Sequence, residues 1–161
     1  MSSISHCFCL CFIFFSACYF NKSEDISEKS SVRKSYDLIY AHLKVDFLLS
    51  EKKIKGSNKM HFKSQSSLDS IHVDLFSNFN VDSVFLNGYR TDFYRKDDIV
   101  SIINNTNLSS SFSVEVFYSG CPLIAKNPPW DGGFVWSKDS NNLNWVGVAC
   151  QMDGASIWWP T

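Results

Sequence analysis

Over most of its length the chain alternates apolar and polar residues with a period of two, and nowhere does it sustain a period of 3.6. Apolar side chains recur at Ile39, Ala41, Leu43, Val45, Phe47 and Leu49, with Tyr40, His42, Lys44 and Asp46 between them. Successive side chains of an extended backbone point to opposite faces, so this spacing describes a half-buried strand. Residues 54–63 resume the pattern, with Met60 and Phe62 opposite Lys59, His61 and Lys63. Residues 68–76 repeat it, with Ile71, Val73 and Leu75 against His72 and Asp74. Residues 81–86 run into Asn87-Gly88, a pair suited to the tight type I′ hairpin. Short strands are expected at 93–95 and 99–103, and Phe112, Val114, Val116 and Tyr118 alternate with Ser113 and Glu115. Short strands at this spacing, joined by polar turns, predict an all-β chain: an antiparallel β-sandwich or an open barrel.

The composition agrees and narrows the function classes. With 45% apolar and 19% charged residues in 161, the chain holds one packed domain, with or without a targeting segment. The net charge is −1 and no basic stripe is present, which argues against a nucleic-acid partner. His42, His61 and His72 fall on separate strands at polar positions and lack the spacing of zinc ligands, so they read as solvated side chains. Cys121 and Cys150 could pair in an exported protein, but two cysteines without a metal-like spacing give no reason to expect a bridge.

Residues 7–18 form an uncharged apolar run followed by the polar Asn21-Lys22-Ser23-Glu24-Asp25. The run is too short to span a bilayer and suits the apolar core of a signal peptide. Phe15-Ser16-Ala17-Cys18 is similar to a bacterial lipobox, although Phe15 replaces the usual aliphatic residue and residues 1–6 carry no Lys or Arg. The expected organisation is a signal or lipoprotein signal over 1–20, with Cys18 as the lipidated residue. A polar linker over 21–34 and a β domain over 35–161 follow. Export to the periplasm, or anchoring at the outer membrane, would result. An ordinary cleaved signal is the alternative.

The C-terminal stretch is shaped differently from the body. All five tryptophans and three of the four prolines lie at or beyond Pro128. Asp131-Gly132-Gly133 reads as a tight turn, and residues 134–138 and 143–150 as a hairpin around Asp139-Ser140-Asn141-Asn142. If the second strand continued past Cys150, Gln151 and Asp153 would project to one side. A carboxamide and a carboxylate so placed can hold a cationic group. On spacing alone the plainer reading is preferred, in which Asp153 shapes the turn before Gly154 and Gln151 is solvated.

Tyr36-Asp37, Tyr40-Ala41-His42-Leu43-Lys44-Val45-Asp46, Leu68-Asp69-Ser70-Ile71 and Val81-Asp82-Ser83-Val84 resemble the opening of M1-family zinc aminopeptidases. Three further blocks resemble a Bacteroidetes-type subgroup of that family. These are Pro128-Pro129-Trp130-Asp131-Gly132-Gly133-Phe134-Val135-Trp136, Gly147-Val148-Ala149-Cys150-Gln151 and Gly154-Ala155-Ser156-Ile157-Trp158-Trp159-Pro160. The resemblance covers about residues 35–161. It implies a saddle-like, all-β N-terminal domain preceding a zinc-binding catalytic domain that this chain lacks. The family's His-Glu-x-x-His is absent, and none of Glu24, Glu28, Glu51 and Glu115 has a histidine at the required offset. The resemblance therefore implies no catalytic residue and no metal ligand in this chain, with zinc belonging to the full-length enzyme. It implies one site: Gln151-Met152-Asp153 stands where the family has Gln-x-Glu, which helps hold the free α-amino group of a peptide substrate. Asp replaces Glu, so the charge survives on a side chain one methylene shorter. Trp130 and Asp131-Gly132-Gly133 are expected to serve packing and loop geometry.

A different class of function fits the same residues, namely a self-sufficient exported β-sandwich whose aromatic patch binds a ligand. Against it stands the expectation that Trp158-Trp159, at the end of the chain, would form an exposed apolar patch.

Overall fold

The computed structural model describes residues 34–104, 108, 110–151 and 153–161. The expected signal segment, Cys18 and nearly all of the expected linker lie outside the described residues.

Among the described residues ten strands form: β1 (Tyr36–Leu48), β2 (Lys53–Ser64), β3 (Ser70–Asp74), β4 (Phe79–Leu86), β5 (Tyr89–Thr91), β6 (Phe93–Lys96), β7 (Ile99–Ile103), β8 (Ser111–Gly120), β9 (Gly133–Lys138) and β10 (Asn144–Ala149). They assemble as a five-stranded sheet in the order β1-β2-β8-β4-β5, a three-stranded sheet β3-β7-β6, and the hairpin β9-β10. Every strand pairing is antiparallel. The all-β antiparallel sandwich read from the alternation is the fold observed.

The two sheets close around the residues that the alternation selected. Ile54, Met60 and Phe62 of β2 stand beside Phe112, Val114, Val116 and Tyr118 of β8, and Ile71, Val73, Val100 and Ile102 meet them from the smaller sheet. Phe62 stacks on Phe112 with centroids 5.4 Å apart, and Tyr36 meets Phe62 edge to face at the same distance. Burial of such side chains stabilises by about 1.5–3 kcal/mol each before conformational entropy is counted. Asn87 and Gly88 have φ of 51° and 83°, as a type I′ turn requires, and they join β4 to β5.

The half-buried reading of the first strand needs correction. Its register pairs Ala41, Leu43, Val45 and Phe47 with the core-facing residues of β2, but it shifts between Leu38 and Tyr40. Ile39 is the extra residue of this bulge, so the inward parity changes from odd to even there and Tyr36 takes the core position. β1 is also an edge strand, paired only with β2, and Ile39 and Tyr40 remain more than half exposed. The solvated reading of His61 and His72 is corrected as well: both are half-buried, His61 beside the Tyr40 ring and His72 with Nε2 3.3 Å from the Ser70 hydroxyl, while His42 is exposed. Cys121 and Cys150 are exposed free thiols.

The long first strand can lie close against β2 because position 56 has no side chain. A Cβ there would overlap the Lys44 carbonyl and come within 3.3 Å of the Tyr118 hydroxyl. That hydroxyl is buried and has no hydrogen-bond partner among the described residues, and burial pushes its pKa well above that of a solvated phenol. Gly56→Ala should therefore cost about 2–3 kcal/mol through overpacking against backbone. At Gly88 a Cβ meets open space and only the positive φ opposes it, so Gly88→Ala should cost about 1 kcal/mol. Urea unfolding of the two variants checks the order, and an equal or reversed cost would contradict the close packing at Gly56.

Candidate functional site

The expected site residues follow β10, so their placement depends on what holds the C-terminal hairpin. In β9, Phe134 is completely buried and contacts the rings of Phe47, Trp136 and Trp158. Its N–H donates to the Leu123 carbonyl over 2.7 Å, and the Ala125 N–H donates to the Phe134 carbonyl over 3.1 Å. This isolated parallel bridge brings the backbone of Ile124 and Ala125 so close to Gly133, at φ 140°, that a Cβ there would lie 2.5 Å from the Ala125 nitrogen. Glycine is required on both counts.

The loop before β9 is built by Asp131. Its carboxylate accepts from the N–H groups of Lys126 at 2.6 Å and Asn127 at 2.8 Å, and the Pro128–Pro129 bond inside the loop is cis. Asp131 serves loop geometry, as expected. Trp130 does not serve packing: it is 74% exposed.

β10 ends at Ala149, and the chain turns there instead of continuing. The Asp153 N–H donates to the Gln151 carbonyl over 2.9 Å and the Gly154 N–H to the Cys150 carbonyl over 3.1 Å. Gly154, at φ 77°, completes the reversal. The extended backbone that would give Gln151 and Asp153 a common side is therefore absent, and the parity argument for pairing them fails. Both residues are nevertheless exposed. The structure also brings together two sequence blocks that lie twenty residues apart, because a Cβ on Gly132 would overlap the Asp153 carboxylate.

The chain then returns to the body. Residues Ala155–Ile157 form a single 3-10 turn with Ile157 buried. The Phe76 N–H donates to the Ser156 carbonyl over 3.0 Å, and Asp74 and Thr161 exchange both backbone hydrogen bonds at 2.8 and 2.9 Å. Asn58, buried on the core face of β2, donates its amide to the Pro160 carbonyl over 2.8 Å. Trp158 and Trp159 pack in contact, 3.9 Å between centroids, and are half-buried against the core. The expected exposed patch at Trp158-Trp159 is thus corrected: the pair packs half-buried against the core, with Trp158 edge-on to Phe134. Asn58 was not singled out by sequence reasoning, although a lone amide at an apolar position of the β2 alternation was the available signal.

Among the described residues no three His, Cys, Asp or Glu side chains are placed to hold a metal ion. The described residues do not fit a zinc ion. What Asp153 and Gln151 offer is an exposed carboxylate and amide on a loop anchored at both ends, suited to hydrogen-bonding a cation.

No protein-family model and no curated protein sequence matches the chain. Solved structures do. An M1 zinc metallopeptidase from Deinococcus radiodurans matches with a TM-score of 0.55 and 16% identity, over 79% of this chain and 29% of that one. Leukotriene A4 hydrolase from yeast, solved in complex with bestatin, matches with a TM-score of 0.63 and 18% identity, over 80% of this chain and 21% of that one. The chain has a fold found in M1 zinc metallopeptidases. It spans between about a fifth and three-tenths of the length of these structures. A two-domain M1 zinc metallopeptidase variant has been solved with L-tryptophan, at a TM-score of 0.51 and 16% identity over 68% of this chain and 28% of that one.

The contact at Gly132 is testable in the isolated chain. In Gly132→Ala the carboxylate of Asp153 must swing aside, which is inexpensive for the end of a side chain and should cost under about 1 kcal/mol. The backbone amide resonances of Gln151, Asp153 and Gly154 should shift while those of β2 and β8 stay in place. Unmoved loop resonances would contradict the contact.

Proposed function

We propose that this chain is the N-terminal, substrate-side domain of an exported M1 zinc aminopeptidase. The observation carrying this reading is the likeness of fold to M1 zinc metallopeptidases over about four-fifths of the chain. The sequence blocks around Trp130 and Trp158 support it and add the finer assignment to a Bacteroidetes-type subgroup. Zinc chemistry in such an enzyme belongs to residues that this chain does not hold. The contribution of this chain is to receive the amino end of the substrate.

In that role the Asp153 carboxylate faces the α-ammonium of a peptide, and the Gln151 carbonyl oxygen accepts a second hydrogen bond from it. Hydrogen bonds between ionised partners contribute about 1.5–3 kcal/mol. The anchoring of residues 155–161 to β2 and β3 keeps the loop in place, so less ordering is needed when the substrate arrives. The shorter reach of aspartate relative to glutamate makes the position of the loop against Gly132 decisive.

In the complete enzyme, Asp153→Ala should lower kcat/KM for free-amino peptides by about 10- to 100-fold. Asp153→Glu should retain most of the activity. An unchanged kcat/KM in Asp153→Ala would remove the role assigned to this residue. Reading the gene in frame beyond the codon for Thr161 tests the wider proposal, since His-Glu-x-x-His is expected there.

Export is proposed from residues 1–20, with Cys18 lipidated, residues 21–34 as a tether and the domain held at the outer membrane or in the periplasm. Intact mass measurement of the membrane-associated protein should show a lipid on Cys18, and Cys18→Ser should release the protein from the membrane fraction. A wild-type product cleaved elsewhere and recovered unlipidated would overturn the anchoring.

A further inference from the structure

β1 ends the five-stranded sheet on one side, and among the described residues only β2 pairs with it. An edge strand presents alternate N–H and C=O groups to whatever lies beyond it, a template that a further strand can extend. The bulge at Ile39 breaks the ladder near one end and the strand stops at Leu48, so the regular edge runs over residues 40–48. In this stretch Ala41, Leu43, Val45 and Phe47 stand opposite Met60, Asn58, Gly56 and Ile54, on the core side of the sheet. With no strand beyond it this row stays partly in water: Leu43 and Val45 are half-buried and Phe47 is 38% exposed. His42, Lys44, Asp46 and Leu48 share the other face. Lys44 has no ion-pair partner among the described residues, and Asp46 has only Lys55, 3.8 Å away with both side chains more than half exposed.

A second β1 fits this edge antiparallel in one register. A two-fold axis passing between residues would set the core-side row of one copy against the solvent-side row of the other. The axis must therefore pass through a residue, and axes near either end shorten the overlap. At Lys44 or Asp46 the axis would oppose a charge with its own copy, and at Leu43 it would set the Lys44 ammonium against the His42 ring. At Val45 every neighbour agrees. Leu43 of each copy meets Phe47 of the other and Val45 meets Val45 on the core side, while Lys44 meets Asp46 twice on the solvent side. Opposite charges two residues apart on one face make this possible, and two lysines there would bar it.

We propose that two copies of this chain pair through β1 about a two-fold axis at Val45, merging their five-stranded sheets into one. The occupant of the edge is a second copy, selected by the charge complementarity of Lys44 and Asp46 and by the matched apolar row. Pairing extends the backbone ladder along residues 42–48 and takes Leu43, Val45 and Phe47 out of water. The interface is small, so the dimer is reversible. It does not depend on the metallopeptidase reading.

Sedimentation equilibrium of the full chain over a range of concentrations tests the pairing. A monomer–dimer equilibrium is expected, with a dissociation constant on the order of 100 μM. Lys44→Asp and Asp46→Lys each place like charges opposite one another at two points and should weaken association at least about tenfold. The double variant Lys44→Asp/Asp46→Lys restores opposite signs at both points, and its association should return to within about threefold of that of the unaltered chain. Raising the salt to about 1 M should narrow the gap between the single variants and the unaltered chain. Far-ultraviolet circular dichroism checks that each variant is folded. In a mixture of isotope-labelled and unlabelled chain, NOEs between copies should join the Leu43 methyl groups to the Phe47 ring. A monomer at every concentration, association indifferent to the charge reversals, a double variant no better than the single ones, or NOEs between copies on another surface would each overturn the proposal.

Discussion

Phe134 is the side chain at which the C-terminal hairpin, the returning tail and the first strand of the sandwich meet. Its ring is wholly enclosed, meeting Phe47 from the first strand, Trp136 from its own hairpin and Trp158 from the returning tail. Its backbone simultaneously bridges to Leu123 and Ala125. Loss of so large a buried side chain typically costs about 3–5 kcal/mol. Here the loss would reach three segments at once. The ring thus adds a shared packing contact to the backbone and side-chain hydrogen bonds that hold the Asp131 loop and the tail.

The strands of the body were legible because burial on one face of a sheet imposes a period of two, and that period is written directly in the residues. Met60, Phe62, Val114 and Val116 needed nothing beyond parity. Where parity broke, the reading failed. The extra residue at Ile39 has no local mark, since Leu38, Ile39 and Tyr40 are all apolar or aromatic and any of them could have faced inward. The Asn87-Gly88 turn implied a returning strand, but the bounds of β5 were not legible, because the three residues Tyr89–Thr91 are too few to show an alternation.

The candidate site was legible as composition but not as geometry. Gln151 and Asp153 stood out as a carboxamide and a carboxylate of equal parity, yet parity holds only while the backbone stays extended. The chain reverses after Ala149 because Gly154 adopts a positive φ and the residues beyond it are drawn back to Asn58 and Asp74. Those partners lie about eighty to one hundred positions earlier in the chain, outside the reach of any local pattern. The contact between Asp153 and Gly132 is of the same kind. Trp158-Trp159 was misjudged for the same reason: its covering surface comes from distant strands.

The stitching of the tail into both sheets has a mechanical side. Asp74 and Thr161 grip one another through paired main-chain bonds, while Asn58 holds Pro160 from the other sheet. Tension drawn through Thr161 would fall first on these bonds and pass into β3 and into β2, the latter paired along most of its length with both β1 and β8. The loop carrying Asp153 lies upstream of that clamp and is shielded from the pull. An arm hung on Thr161 could therefore swing or strain without dragging the loop out of position.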